Sequence, residues 1–190
     1  MNRIDLIDDR IRRLPGAFSA EECADLVRLA EAIGFHPASI STGAGFVMMP
    51  DVRNNTRVIL DDVPRAAALW QRLAPAIPGR LGRFRAVGLN ERLRFYRYEP
   101  GERFSWHRDG SFHRGDGEQS LVTLMIYLND GFEGGSTDFD LPDRDGPLRV
   151  VPERGMVLLF EHGLRHQGAP VQRGVKLVLR TDVMYRREEA

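Results

Sequence analysis

From Gly82 to its last residue the chain reads with an alternating, extended periodicity in short pieces, whereas before Gly82 its apolar residues recur at helical spacing. Candidate strands run from Phe84 to Leu89, Arg92 to Tyr98, Phe104 to His107, Leu121 to Leu128, Ser136 to Phe139, Leu148 to Val151, Met156 to Phe160, Leu164 to Gln167 and Val175 to Tyr185. Asn129-Asp130-Gly131, Gly134-Gly135 and Asp145-Gly146-Pro147 separate them. Each breaker favours tight-turn backbone, so successive strands fold back on one another. Many short strands cut by turn signals define an all-β unit. The fold class expected is mainly β (α+β), with helices confined to the N-terminal part.

Upstream, Ser19-Ala20-Glu21-Glu22 reads as a capping box, with Ser19 as N-cap and Glu22 reaching back to it. Cys23, Leu26, Val27, Ala30 and Ile33 follow at helical spacing, and Gly34 ends the run. Asp62-Val63-Pro64 gives a second N-cap with proline in the first turn, ahead of Ala66, Ala67, Leu69, Trp70 and Leu73; Pro75 and Pro78 break the helix. Ile4 to Leu14 suits a short edge strand. From Phe35 to Asp62 the chain is irregular or extended, with Gly43-Ala44-Gly45, Met48-Met49 and Arg53-Asn54-Asn55-Thr56-Arg57 before the strand-like Val58-Ile59-Leu60. Long glycine-rich connections are often binding loops. Arg53 and Arg57 are therefore either rim residues that handle substrate or solvated loop charges.

Composition narrows the partners. Lys+Arg and Asp+Glu both count 27, so no global charge concentrates a polyanion, and nucleic acid loses support. The single Cys23 excludes an intramolecular disulfide and fits a reducing compartment. No cationic segment followed by an apolar run opens the chain, and apolar stretches such as Leu124 to Leu128 are too short to span a bilayer. A soluble cytoplasmic protein with no membrane partner is expected. Of the 27 basic residues 26 are arginine; the only lysine is Lys176. Strand alternation with Val178 and Arg180 allows it as a chance surface residue. A compact ammonium in a chain that otherwise uses arginine also suits a functional cation, because the two are not equivalent at a carboxylate site.

His107 and Asp109 are one residue apart, so on an extended strand both side chains leave the same face. Two histidines and one carboxylate on one face of an octahedron leave three positions open, the facial triad of non-haem Fe(II) oxygenases. A histidine beside a carboxylate is also commonly just a hydrogen-bonded pair. His166 offers a third ligand from a distant segment, with Lys176 ten positions on. His162 is a rival third ligand, and His36 and His113 read as surface or neighbouring histidines.

Tyr98 with Gly101, His107 with Asp109, Tyr127-Leu128-Asn129-Asp130, Gly134 to Phe139, and His166 to Lys176 together resemble the prolyl 4-hydroxylase-like branch of the 2-oxoglutarate/Fe(II) oxygenases. The pieces run in family order over the C-terminal half. The resemblance implies a double-stranded β-helix, an eight-stranded jelly-roll (cupin-like) barrel, with the N-terminal helices packed on its outer sheet. A single domain over 1–190 follows, with helical and loop support over 1–82 and the jelly-roll core over 83–190.

The same resemblance implies Fe(II) held by His107, Asp109 and His166, with 2-oxoglutarate and O2 as co-substrates and ascorbate as reductant. The keto and C1-carboxylate oxygens of 2-oxoglutarate would chelate iron, and its C5 carboxylate would meet Lys176 and the Tyr98 hydroxyl. Tyr98 is otherwise an ordinary strand aromatic. Thr123 and Tyr127 share a strand face expected to line the barrel, where either touches the co-substrate or simply packs. Arg180, on the Lys176 face, is either a second carboxylate or substrate contact or a solvated strand charge. Trp106 and Phe112 flank the iron motif and either wall the substrate entrance or pack in the core.

The implied reaction hydroxylates an unactivated C–H bond, with succinate and CO2 as co-products, and an intact Asp109 makes hydroxylation rather than halogenation the default. The substrate is a peptidyl residue such as proline, or a free amino acid or small metabolite; an Arg-rich mouth (Arg53, Arg57, Arg94, Arg114) suits an acidic one. Two rivals stand beside this reading: a non-catalytic metal- or ligand-binding barrel, and a Zn(II) hydrolase with the same ligands. Lys176 has no obvious task in the second.

Overall fold

The computed structural model describes residues 3–42, 45–49, 51–142 and 144–188. Gly43 and Ala44, expected in the glycine-rich loop, lie outside the described residues. The strand Lys176–Arg187 runs through the centre of the structure, antiparallel to Glu118–Tyr127 on one side and to Arg92–Tyr98 and Phe84–Leu89 on the other. A ten-stranded sheet grows from it. On one side Glu118–Tyr127 pairs with Val157–Glu161, which pairs with Ile11–Leu14. On the other, Arg92–Tyr98 pairs with Thr56–Asp61.

A four-stranded sheet faces this one, in the order Phe104–His107, Arg165–Gly168, Thr137–Asp140, Leu148–Val150. The two sheets form the expected double-stranded β-helix. Three strands, Phe84–Leu89, Arg92–Tyr98 and Phe104–His107, have the bounds that the sequence suggests.

One difference has a local cause. Ile4 to Leu14 is a hairpin of Asp5–Asp8 and Ile11–Leu14 rather than one strand. The Asp8 carboxylate accepts from the Arg10 backbone at 3.0 Å, an Asx-type turn that reverses the chain. The strand-like Val58-Ile59-Leu60 lies within Thr56–Asp61, which joins the large sheet, so the segment before Gly82 supplies strands as well as helices.

Alternation sends the two faces of the large sheet to different cores. Leu93, Phe95, Leu124, Leu159, Leu179 and Val183 point outward, where Cys23, Leu26 and Ala30 of α1 (Ala20–Ile33) and Ala66, Leu69 and Leu73 of α2 (Val63–Leu73) cover them. Both helices start as their sequences direct. Ser19 Oγ accepts from Glu22 N at 3.1 Å and the Glu22 carboxylate from Ser19 N at 2.7 Å; Asp62 accepts from Arg65 N at 2.9 Å. Ile33 and Ala67 lie on the solvent side. The inward face carries Tyr127, Leu158, Phe160 and Val178, packed against Phe139 and Val150 of the small sheet. Its remaining inward positions are polar and make the site.

Leu124, with no exposure, joins the helices to the sheet. Leu124→Ala is expected to lower stability by about 2–5 kcal/mol, and Ser19→Ala by about 1 kcal/mol through the lost cap. Urea unfolding of the two variants checks both the values and their order.

Candidate active site

Strand pairing brings the two histidines of the motif together. Phe104–His107 runs antiparallel to Arg165–Gly168 with His107 opposite His166, and the imidazole centres are 4.2 Å apart. Just past the strand, Asp109 N donates to His162 O at 3.2 Å. The Asp109 carboxylate lies between the imidazoles: Oδ1 is 3.6 Å from His107 Nε2 and Oδ2 is 3.6 Å from His166 Nε2. One donor atom from each of the three lies within 4.8 Å of the others.

The tautomers follow from what holds the rings. His107 Nδ1 is 2.7 Å from Ser105 O, and His166 Nδ1 is 3.0 Å from Leu164 O. A carbonyl oxygen only accepts, so both Nδ1 atoms carry the proton and both Nε2 lone pairs face Asp109. The same device, the carbonyl two residues back, orients each ring. Burial draws His166 down to a pKa of about 4 although Asp109 opposes it, so at neutral pH the ring is the neutral imidazole that a metal requires.

Asp109 is itself held at both oxygens. Thr123 Oγ1 donates to Oδ2 at 2.6 Å, and Arg180 Nη1 reaches Oδ1 at 3.0 Å. Burial alone would raise its pKa, but Arg180, with both histidines, holds it well below the carboxylate range. Two neutral imidazole nitrogens and one ionised carboxylate, fixed and converging, form a donor set that fits Fe(II).

Thr123 and Arg180, expected as possible co-substrate contacts, thus both bind Asp109 while still lining the cavity. Arg180 is no solvated strand charge: its side chain is 15% exposed, and Nη2 also meets Asp182 Oδ1 at 3.1 Å. Arg94 takes the other oxygen of Asp182 at 3.1 Å. The rival ligand His162 is buried with Nε2 3.6 Å from Asp182, outside the triad. His36 and His113 are exposed.

Around the triad opens a small cavity of about 30 Å³. Lys176 lines it, 2% exposed. Its Nζ donates to Gly135 O at 2.5 Å and sits 5.2 and 5.6 Å from the ring centres of Tyr98 and Tyr127. Among the described residues no carboxylate lies at ion-pair distance from it. Burial pulls its pKa down to about 7 despite the charge of Asp138. A buried ammonium with one carbonyl for company is costly to charge, and an incoming carboxylate offsets that cost.

Gly135 belongs to this arrangement. At φ +63° the turn favours glycine, and a Cβ there would stand 3.0 Å from Lys176 Cδ, so the lysine chain would have to shift to admit one. Burial pushes Tyr98 up to about 12, which keeps its phenol proton available for donation.

Among the cavity residues that sequence reasoning did not single out, Thr137 and Phe104 make specific contacts, beside Tyr96, Met125, Phe160 and Gly168. Thr137, whose Oγ1 is 2.7 Å from Tyr127 OH, lines it; its place in Gly-Gly-x-Thr-x-Phe was the available signal. Phe104 stacks on His107 with 3.5 Å between ring centres, and nothing in the sequence separated it from its neighbours. Trp106, under the Arg165 guanidinium, and Phe112, 39% exposed, are in neither the cavity lining nor the buried core.

The family model of the 2OG-Fe(II) oxygenase superfamily matches residues 93–181, the stretch that contains the triad, Tyr98 and Lys176. Prolyl 4-hydroxylase 1 of Arabidopsis thaliana is 30% identical over 177 residues, covering 85% of this chain and 61% of the relative's length. The structure is similar to a Pseudomonas putida prolyl-4-hydroxylase, with TM-score 0.69 at 22% identity over 97% of this chain and 96% of the other. It is also similar to a Trichoplax adhaerens prolyl hydroxylase solved with a hypoxia inducible factor peptide fragment, with TM-score 0.70 at 17% identity over 94% and 84%. The two structures share the double-stranded β-helix. The family model thus spans just under half of the chain, and the relative that is 30% identical is a prolyl 4-hydroxylase of which the chain spans 61%.

A cavity cation that is half-deprotonated near pH 7 binds an anion only in its ammonium form. Affinity for a carboxylate held by Lys176 is therefore expected to fall by up to about tenfold per pH unit above about 7, with proton uptake approaching one. Calorimetry in buffers of different ionisation enthalpy measures both. In the ligand-free protein the unfolded chain binds the extra proton from about 7 to 10.5, so this lysine makes stability rise with pH through that window.

Proposed function

We propose that the chain is a 2-oxoglutarate- and Fe(II)-dependent hydroxylase, with His107, Asp109 and His166 as the metal ligands and Lys176 and Tyr98 as the receptor for the C5 carboxylate. The observation that carries this reading is the buried, carboxylate-free Lys176 ammonium in the same cavity as the triad. A zinc hydrolase or a plain metal-binding module would leave that costly cation without a task.

Bound there, iron and 2-oxoglutarate would supply dioxygen activation and the reducing equivalents that insert oxygen into a C–H bond, leaving succinate and CO2. The chain's own residues prepare the place. The Ser105 and Leu164 carbonyls aim the two Nε2 lone pairs, and Thr123 and Arg180 keep Asp109 ionised and oriented. Lys176 and Tyr98 meet the distal carboxylate, while Phe104, Met125 and Phe160 give the cavity dry walls. Arg180 and Thr123 act on the co-substrate through Asp109. The substrate is a peptidyl residue such as proline, or a free amino acid or small metabolite, and ascorbate serves to keep iron ferrous.

Succinate release from 2-oxoglutarate by protein supplied with Fe(II), ascorbate and oxygen tests the reading. Wild-type protein should give slow turnover without added substrate. His107→Ala should abolish it, and Lys176→Ala should raise the 2-oxoglutarate requirement by at least about tenfold, the scale of a lost charge-assisted hydrogen bond. Absence of succinate and of 2-oxoglutarate binding in wild type would move the weight to a metal-binding module.

A further inference from the structure

Of the four arginines that the sequence places at the mouth, three keep no buried N–H without a hydrogen-bond partner. Arg57 donates to Ser39 O and Oγ at 3.2 and 2.8 Å, Arg94 pairs with Asp182, and Arg114 pairs with Glu91 and Glu118. Arg53 differs. It is 4% exposed, and among the described residues no carboxylate pairs with it. Nε donates to Asn55 Oδ1 at 2.7 Å, while Nη2 is buried without a hydrogen-bond partner. Lys176 carries the same signature of a buried cation short of acceptors.

Arg53 is also placed with care. Its guanidinium carbon lies 4.5 Å from the ring centres of both Tyr96 and Phe104, and both rings line the cavity that holds the triad. His107 stacks on Phe104 at 3.5 Å and 17°, which fills one face of that ring and leaves the other to Arg53. Backbone and side-chain hydrogen bonds tie this segment to the strand that carries His107: Ser105 N to Val52 O at 2.8 Å and Arg103 N to Asn54 Oδ1 at 2.8 Å.

Charges on this wall do not balance. Burial would raise the Tyr96 phenol, yet Arg53, Arg180 and Arg94 together lower it. Asp109 and Asp182 answer Arg180 and Arg94; no described carboxylate answers Arg53, whose polar neighbours are Asn55 and the Tyr96 phenol. Lys176 is already matched to the co-substrate, and a metal on the triad adds positive charge. An unmatched buried guanidinium N–H is costly, and a carboxylate is the group that its geometry fits.

We infer that Arg53 is the receptor for a carboxylate carried by the substrate, so that the substrate is a carboxylic acid presented by its end, a free amino acid or a chain terminus, in place of an internal peptide residue. This deepens the hydroxylase reading and rests on it. The Tyr96 hydroxyl, beside Arg53, is positioned to share that carboxylate.

The test uses the full chain loaded with Mn(II) and saturated with 2-oxoglutarate under nitrogen, titrated calorimetrically with the free L-amino acids, L-proline among them, and with their carboxamides. At least one free acid should bind about tenfold or more tightly than its amide, the scale of one charge-assisted hydrogen bond. Arg53→Gln should erase that preference and Arg53→Lys should keep part of it. Peptides ending in the preferred residue separate a chain terminus from a free acid. Retained 2-oxoglutarate binding in Arg53→Gln reports an intact pocket; if that variant does not fold, Arg53→Lys and the wild-type acid-to-amide ratio decide. Equal binding of acids and amides, no binding of any acid, or a preference that survives Arg53→Gln would overturn the assignment. Failure of wild type to bind 2-oxoglutarate would instead overturn the oxygenase reading beneath it.

Discussion

A strand covered on both faces cannot leave charges on either without partners, and Lys176–Arg187 carries three on its inward face. Lys176, Arg180 and Asp182 share that face with Val178, while Leu177, Leu179 and Val183 meet the helices. The cost of burying ions shapes what surrounds them. Arg180 is matched by Asp109 and Asp182, and Asp182 in turn by Arg94. Lys176 has only the Gly135 carbonyl. The unevenness is informative: the outer part of the face is neutralised internally and holds Asp109 in place, and the Lys176 end has no counter-ion among the described residues, as the proposed co-substrate site requires.

That division also explains how a triad assembled from two segments can be rigid. Register between two short strands sets His107 opposite His166, and the carbonyl two residues back locks each ring. Asp109, beyond the strand, has no ladder to hold it. Thr123 and Arg180, from two neighbouring strands of the opposing sheet, take its two oxygens instead. The large sheet thus orients a ligand that the small sheet carries, and the barrel has to close for the site to exist.

Much of this was legible in the sequence because the signals are local. Alternation, turn residues and caps gave the strands and both helices, and His-x-Asp with His166 and Lys176 gave the centre of the site. What stayed hidden depends on strands distant in sequence meeting across the barrel. Thr123 and Arg180 could be assigned to an inward face, but that face looks onto Asp109 only once the two sheets close. Phe104 and Thr137 gain their roles from stacking on His107 and bonding to Tyr127. Arg53 was visible as a candidate rim residue beside Arg57, with a solvated loop charge as the alternative; its unpartnered buried N–H is a property of the packed state. The hairpin in place of a single edge strand turned on one Asp8 side chain, too short a signal to outweigh a mixed apolar run.

The central claim is that the triad and Lys176 bind the two ends of one ligand assembly, and crystals grown with Mn(II) and 2-oxoglutarate test it most directly. Anomalous diffraction should place one metal at His107 Nε2, His166 Nε2 and one Asp109 oxygen, at distances of about 2.0–2.3 Å. The distal carboxylate of 2-oxoglutarate should lie within hydrogen-bond distance of Lys176 Nζ. A metal bound elsewhere, or a co-substrate that leaves Lys176 Nζ on the Gly135 carbonyl alone, would contradict the account.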